Sequence, residues 1–373
     1  MVHQLGIYPF STEAVPLVRH SELLDQYRIS ALVSPKSWGY ENQIFEVGAV
    51  RLLVSSSLEK TLPQMDTLFV PELQVSEIVE KQIINNICGA APHLHMIHCV
   101  GKMKDQNLIQ LKNACKKANC SLNILSSAKQ SLEFYGIKRE HSGVLQQISV
   151  PVVAVAGLWE NTDKFEVTLS LREHLLKEGY RVSQVGSRPY CELFGFHSFP
   201  EFMFDSSIDE RDKIFYFNQY LVRLVEDEMP DVLLFTVPGA IHGLNDQFPN
   251  GFGMLAFQVF RAVTVDFLTV CTFYDPTPDE FLELIEQSCK YRFGRPVNCF
   301  HMSTLFIDIM DSIERGKVIE RHATKELVSA AISRIGKEKN VPLVNVCCHN
   351  GADEMYGCLL NTLMAGMPAT GMQ

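Results

Sequence analysis

No C-x-x-C pair occurs among the 11 cysteines, so a zinc ribbon, a thioredoxin-like dithiol and an iron–sulfur cluster all lack their ligand spacing. The first apolar stretch runs into Leu5-Gly6-Ile7-Tyr8-Pro9-Phe10, without the glycines of a dinucleotide-binding turn. No nucleophile-elbow motif is found, and Ser, His and Asp are too scattered to spell a hydrolase triad. Apolar runs are broken by Asp, Gly or Pro before the roughly 18 residues of a membrane span accumulate. Basic residues are the scarcer charge, 33 against 43 acidic ones, for a net charge of −10. That balance lacks the basic footprint that non-specific nucleic-acid binding needs. The opening MVHQLGIYPF has neither the basic n-region nor the apolar core of a signal peptide. The expectation is therefore a cytoplasmic protein whose cysteines are mostly buried free thiols.

What is present points to a compact α/β protein. Hydrophobic residues make up 46% of the 373 and charged residues 20%, enough apolar surface to offset the entropy of ordering. The length suits two domains. Leu5 to Tyr8, Ser30 to Val33, Val50 to Val54, Thr67 to Val70, His95 to Val100 and Leu122 to Leu125 read as strands. Thr12 to Tyr27, Val75 to Cys88 and Lys104 to Ala118 carry apolar residues at helical spacing. A polar stretch, Ser126 to Gln147, follows, and then the strongest strand pattern of the chain, Val150 to Gly157. Further strands are expected at Arg181 to Val185, Asp231 to Val237, Val263 to Phe273, Pro296 to His301 and Pro342 to Cys347. Helices are expected at Phe165 to Glu178, Glu210 to Glu228, Pro278 to Tyr291, His322 to Lys337 and Asp353 to Ala365. Alternating strands and helices imply crossover units and largely parallel sheets. The organisation expected is a Rossmann-like domain over residues 1–125, a linker over 126–149 and a second parallel-sheet domain over 150–373.

Ligands of parallel sheets collect where strand carboxyl ends meet helix amino termini. Gly157-Leu-Trp-Glu-Asn-Thr-Asp-Lys164-Phe165 occupies that place after the strongest strand. A working P-loop needs Gly where backbone wraps phosphate, Lys on the outer phosphates and Ser or Thr on magnesium. From Val152 onward the chain resembles the SIMIBI branch of P-loop proteins, with the Gly157-to-Lys164 spacing of dethiobiotin synthetase-like loops. Asp231-Val-Leu-Leu-Phe-Thr-Val-Pro-Gly239 stands where that branch has a strand ending in an acidic residue, then Pro-Gly. The departures are specific: Asp163 replaces a phosphate-approaching glycine, Phe165 replaces the metal-binding hydroxyl, and Thr236 stands near the second acidic position. Glu160 adds another negative charge, so poor binding of ATP or GTP with magnesium is expected. The anion-binding cleft is assigned to Gly157, Glu160, Thr162, Asp163, Lys164, Arg188 and Gly239.

The whole chain also resembles the bacterial peptide maturation system proteins, through Ala156-Gly-Leu-Trp-Glu-Asn-Thr-Asp-Lys164-Phe-Glu, Gln184-Val-Gly-Ser-Arg188 and Phe-Thr-Val-Pro-Gly-Ala240. That family is encoded beside Cys-rich bacteriocin-like precursors and radical S-adenosylmethionine maturases. The resemblance implies an accessory role in making a modified peptide, with the precursor peptide and the radical SAM maturase as partners, and supplies no catalytic residue. A nucleotide-dependent ligase or transferase is the alternative, and a homodimer is expected from the P-loop branch.

Four other clusters carry a functional and a bland reading. His93, His95, His98 and Cys99 have ligand chemistry, but a strand end and its buried middle explain them without a metal. Cys347, Cys348 and His349 lie at a strand-to-helix turn, where a cysteine can be a reactive thiolate or a small buried hydrophobe. His242 near Asp246 offers a general acid or base without a matched nucleophile. Phe194, Phe196, Phe199, Phe202 and Phe204 form either a core lid or, if exposed, a peptide contact.

Overall fold

The structure, a computed structural model, describes residues 2–101, 103–125, 132–141, 143–275, 279–335, 341–348 and 350–366. The chain divides into two compact units, Met1–Lys129 with Arg188–Ser198, and Gln130–Ser187 with Phe199–Gln373. It is an α/β protein with one parallel-dominant sheet in each unit, Rossmann-like in the first and P-loop-like in the second.

The first unit contains strands β1 (His3–Ile7), β2 (Tyr27–Val33), β3 (Ile44–Val47), β4 (Val50–Ser55), β5 (Thr67–Val70), β6 (Met96–Val100) and β7 (Ser121–Leu125). Its helices are α1 (Val15–Arg19), α2 (Leu58–Thr61), α3 (Glu77–Ala90) and α4 (Asp105–Ala118). The sheet order is β3-β4-β2-β1-β5-β6-β7, parallel throughout except for the edge pair β3–β4. Without β3, the order is that of the dinucleotide-binding fold, 3-2-1-4-5-6. Ile83, Ile84 and Ile87 of α3 and Leu111 and Cys115 of α4 pack on Leu68, Val70, Ile97 and Cys99, the alternate residues of β5 and β6.

Sequence periodicity runs a single helix from Thr12 to Tyr27, and the structure breaks it. Only Val15–Arg19 is α-helical, flanked by short 3₁₀ turns at Thr12–Ala14 and Ser21–Leu23. Tyr27 is taken instead into β2, paired with His3 of β1. Tertiary pairing overrides a spacing that suits either state. Strand β3 was not legible because it is a short hairpin edge, closed by Gly48 at φ +54°.

In the second unit, β8 (Val152–Gly157), α5 (Lys164–Lys177) and β9 (Val182–Gly186) are followed by the segment that belongs to the first unit and contains β10 (His197–Ser198). Then come α6 (Glu210–Glu228), β11 (Val232–Thr236), α7 (Met254–Ala262), β12 (Phe267–Thr272), α8 (Asp279–Ser288), β13 (Cys299–Met302) and β14 (Leu305–Ile307). The chain continues through α9 (Ile309–Arg315), β15 (Glu320–His322), α10 (Lys325–Ile335), β16 (Leu343–Val344) and α11 (Gly351–Gly366). Parallel strands run in the order β9-β11-β8-β12-β13-β16, and β14 and β15 form a separate antiparallel hairpin.

Strand β8 is buried on both faces, as a central parallel strand must be. Val152, Ala154 and Ala156 join the core beneath α6, α7, α8 and α10, while Val153 and Val155 join the one beneath α5 and α11. The chain crosses from one side of β8 to the other between β11 and β12, so the loop after β8 sits at the topological switch point of the sheet. Leu132 and Ile137, in the stretch read as a linker, are buried in the first of these two cores; residues 126–131 and 142 of that stretch lie outside the described residues. None of the described helices is long and apolar enough to cross a membrane.

Candidate functional site

The site is built at the carboxyl end of β8. Gly157 ends the strand with no room for a side chain: a Cβ would lie 2.5 Å from Thr162 Oγ1 and 2.9 Å from Lys164 Cδ. Thr162 closes the loop by donating its hydroxyl to the Trp159 carbonyl at 2.9 Å. The Trp159 indole donates to Glu320 on β15 at 2.7 Å, and the Asn161 amide donates to the same carboxylate.

Asp163 caps α5 in the left-handed region, φ +61° and ψ +17°, the conformation a glycine adopts without cost. Its carboxylate is drawn toward β13: Ser303 Oγ donates to Oδ2 at 2.6 Å and His301 Nε2 at 3.4 Å. The Val346 N–H donates to His301 Nδ1 at 3.3 Å, which leaves the ring proton on Nε2, facing Asp163. The aspartate thus takes a backbone shape that glycine adopts freely, and its charge is held by hydrogen bonds from the next strand but one.

Lys164 opens α5 and is 1% exposed, an unusual burial for an ammonium group. Its Nζ donates to the Gly239 carbonyl and pairs with Glu160 Oε2 at 3.3 Å. The Gly239 N–H donates to that same oxygen at 2.6 Å. Lysine, glutamate and the Pro-Gly turn after β11 therefore form a closed ring of three partners. Gly239 has φ +72°, which exposes its N–H toward the ring without a side-chain penalty.

Phe165, the residue after Lys164 in the first turn of α5, is buried and offers no hydroxyl. Thr236, at the end of β11, shares a 2.6 Å hydrogen bond with Thr168, whose hydroxyl also bonds the Lys164 carbonyl at 2.7 Å. Among the described residues, no group of three or more His, Cys, Asp or Glu is arranged to hold a metal. One cation and two carboxylates at the loop can seat a single oxyanion group only if a carboxylate gives way.

Gly157, Glu160, Thr162, Asp163, Lys164 and Gly239 come together at this loop. Arg188 is placed in the first unit, where its guanidinium pairs with Glu13 at 2.7 Å. There the carboxyl ends of β1 and β5 form the crevice in which a Rossmann fold holds its dinucleotide. Tyr190 fills it, donating its hydroxyl to the Glu13 carbonyl at 2.6 Å and packing edge-on against Phe69 of β5 at 5.3 Å. With Phe10 buried and no glycine turn after β1, this crevice is occupied by protein.

The bland readings describe most other clusters. His93 and His95 are exposed outside β6, and His98 and Cys99 lie on opposite faces of the strand. His98 is held by Tyr27 and Asn123 instead. Four of the five phenylalanines are buried and only Phe204 is exposed, so the segment forms core and offers no aromatic patch. His242 accepts from Arg292 at 3.2 Å, and burial together with that cation lowers its pKa, which keeps the imidazole neutral. Cys347 and Cys348 are half-buried, and His349 lies outside the described residues. Burial raises the thiol pKa of Cys99 to about 12 and those of Cys191 and Cys271 well above the usual value, as the composition implies for free thiols in a core.

Sequence reasoning missed His301, Ser303 and Glu320. Each lies more than 130 residues from the loop it contacts, and no local motif marks them. The available signal was position: His301 and Ser303 fall at the carboxyl end of a predicted strand, the edge on which the loop must sit.

No protein-family model and no curated protein matches the chain. Among solved structures, it is similar to the 2.30 Å crystal structure of a DUF1611 family protein from Anabaena variabilis, with a TM-score of 0.62 and 13% identity over 98% of this chain and 100% of that one. A GTPase in apo form from Pyrococcus abyssi aligns with 57% of this chain and 97% of its own, at 14% identity and a TM-score of 0.30. The Anabaena structure, matched over nearly the full length, shows a shared fold and no more, because its identity with this chain is so low.

Proposed function

We propose that this chain is a binding component of peptide maturation, in which the carboxyl edge of the second sheet holds an anionic group of a precursor peptide or of its radical SAM maturase. The observation that carries the reading is the ring of Lys164, Glu160 and Gly239, in which an ammonium and a backbone N–H converge on one carboxylate oxygen. Phosphoryl transfer relies on metal to bridge and neutralise the phosphates. By the resemblance to P-loop proteins, Phe165 and Thr236 fall at the positions that would bind it, and Thr236 is engaged by Thr168. A protein-bound anion needs no metal, since a lysine and a backbone N–H suffice for a carboxylate.

Titration calorimetry with ATP or GTP and magnesium is the first measurement, and no micromolar binding is expected. The second is retention of the neighbouring precursor peptide or maturase on immobilised protein, expected for the native chain and lost in Lys164→Ala. Micromolar magnesium–nucleotide binding that disappears in Lys164→Ala would favour a ligase or transferase instead. Absence of both partners from the resin removes the reading.

A further inference from the structure

The ring at Lys164 combines one movable member with two fixed ones. Lys164 is packed under the loop at 1% exposure, whereas the Glu160 side chain is 40% exposed. Gly239 contributes backbone only. A single glutamate oxygen, Oε2, takes both the lysine ammonium at 3.3 Å and the Gly239 N–H at 2.6 Å. An ammonium and a main-chain N–H converging on one oxygen, beside the amino terminus of a 14-residue helix, is the donor set of a bound oxyanion.

We propose that Glu160 is a built-in competitor for this seat: its carboxylate stands in for a ligand oxyanion, and a ligand enters by displacing it toward solvent. The inference rests on the binding reading above and names what regulates that site. The other carboxylate of the loop does not compete. Asp163 is held by Ser303 at 2.6 Å and by His301 at 3.4 Å on the β13 side. Once Glu160 leaves, the seat keeps a lysine, a backbone N–H and the positive end of the α5 dipole. Because Phe165 is buried, Thr168 and Thr236 bond each other and no group of three or more His, Cys, Asp or Glu among the described residues is arranged to hold a metal, the ligand is a metal-free oxyanion, either a tetrahedral phosphate or a planar carboxylate.

The test uses the full chain and its Glu160→Gln variant, which keeps size and hydrogen bonding but removes the competing charge. Calorimetry in metal-free buffer with inorganic phosphate as one probe and acetate as the other separates the two chemistries. We expect Glu160→Gln to bind at least one of them about tenfold more tightly than the native chain, a gain of about 1.4 kcal/mol. The gain should vanish in the Glu160→Gln, Lys164→Ala double variant. Glu160→Asp, which withdraws the oxygen by one methylene and keeps the charge, guards against a folding defect and should also tighten binding. Equal affinities of native and both variants overturn the gate, as does tighter binding that survives loss of Lys164. Tighter oxyanion binding by Glu160→Gln without partner retention by the native chain would sink the peptide reading and leave the gate standing. Partner retention without tighter oxyanion binding does the reverse.

Discussion

Gly157→Ala is expected to cost about 3 kcal/mol of stability, at the upper end for overpacking a fitted core. The added Cβ would stand 2.5 Å from Thr162 Oγ1, 2.9 Å from Lys164 Cδ and 3.0 Å from Lys164 Cγ. Both neighbours are buried side chains with their own obligations: the Thr162 hydroxyl bonds the Trp159 carbonyl, and the Lys164 ammonium bonds Glu160 and Gly239. Neither can retreat without opening the ring. Gly239→Ala is the control. It has nothing within 4 Å of the new atom and pays only for its left-handed backbone, φ +72°, about 1–2 kcal/mol. Chemical denaturation of the two variants should therefore rank Gly157→Ala as the more damaging. The opposite ranking would mean that the loop does not pack over Gly157 as described.

Acid should destabilise the first unit through His98, by up to about 3 kcal/mol between pH 6.5 and 4. Burial, with a smaller contribution from His3, lowers the His98 pKa to about 4. The ring is 3% exposed on β6, where Asn123 Nδ2 donates to Nδ1 at 3.1 Å. The proton therefore sits on Nε2, which donates to the Tyr27 hydroxyl oxygen at 2.9 Å. A folded pKa below the unfolded one means that the unfolded chain binds the extra proton first as pH falls. The contribution of the neutral ring is thus complete above about 6.5, shrinks as pH drops below it, and is gone below about 4. Thermal unfolding across that window, compared with His98→Gln, isolates the effect from the carboxylates that titrate nearby. Identical pH slopes for the two proteins would show that His98 does not carry it.

Several elements were legible because local spacing and burial agree. The helix Glu210 to Glu228 has the bounds its periodicity predicts, and Thr67 to Val70 likewise. The strand before the loop and the position of Lys164 at the start of α5 could both be read in line. Strand β3 and the β14–β15 hairpin were not legible, because they are short and each is defined by what it pairs with.

Arg188 illustrates the limit on site residues. Its position after the second strand of a P-loop-like sheet suggested a ligand contact, yet it closes on Glu13, 175 residues away in the chain. Asp163 illustrates the converse. By sequence it is a misplaced negative charge, whereas the fold supplies Ser303 and His301 to hold it.

The two α/β halves and the carboxyl-edge position of the 157–164 loop could be read from the chain alone, because each follows from local periodicity and residue type. Which charges meet emerged from the three-dimensional packing: Glu160 and Gly239 close on Lys164, Asp163 is held from the β13 side, and Tyr190 fills the crevice of the first sheet. Partners in such contacts come from strands adjacent in space and distant in the chain, and the energy of an ion pair depends on separation and burial, neither of which a linear pattern encodes.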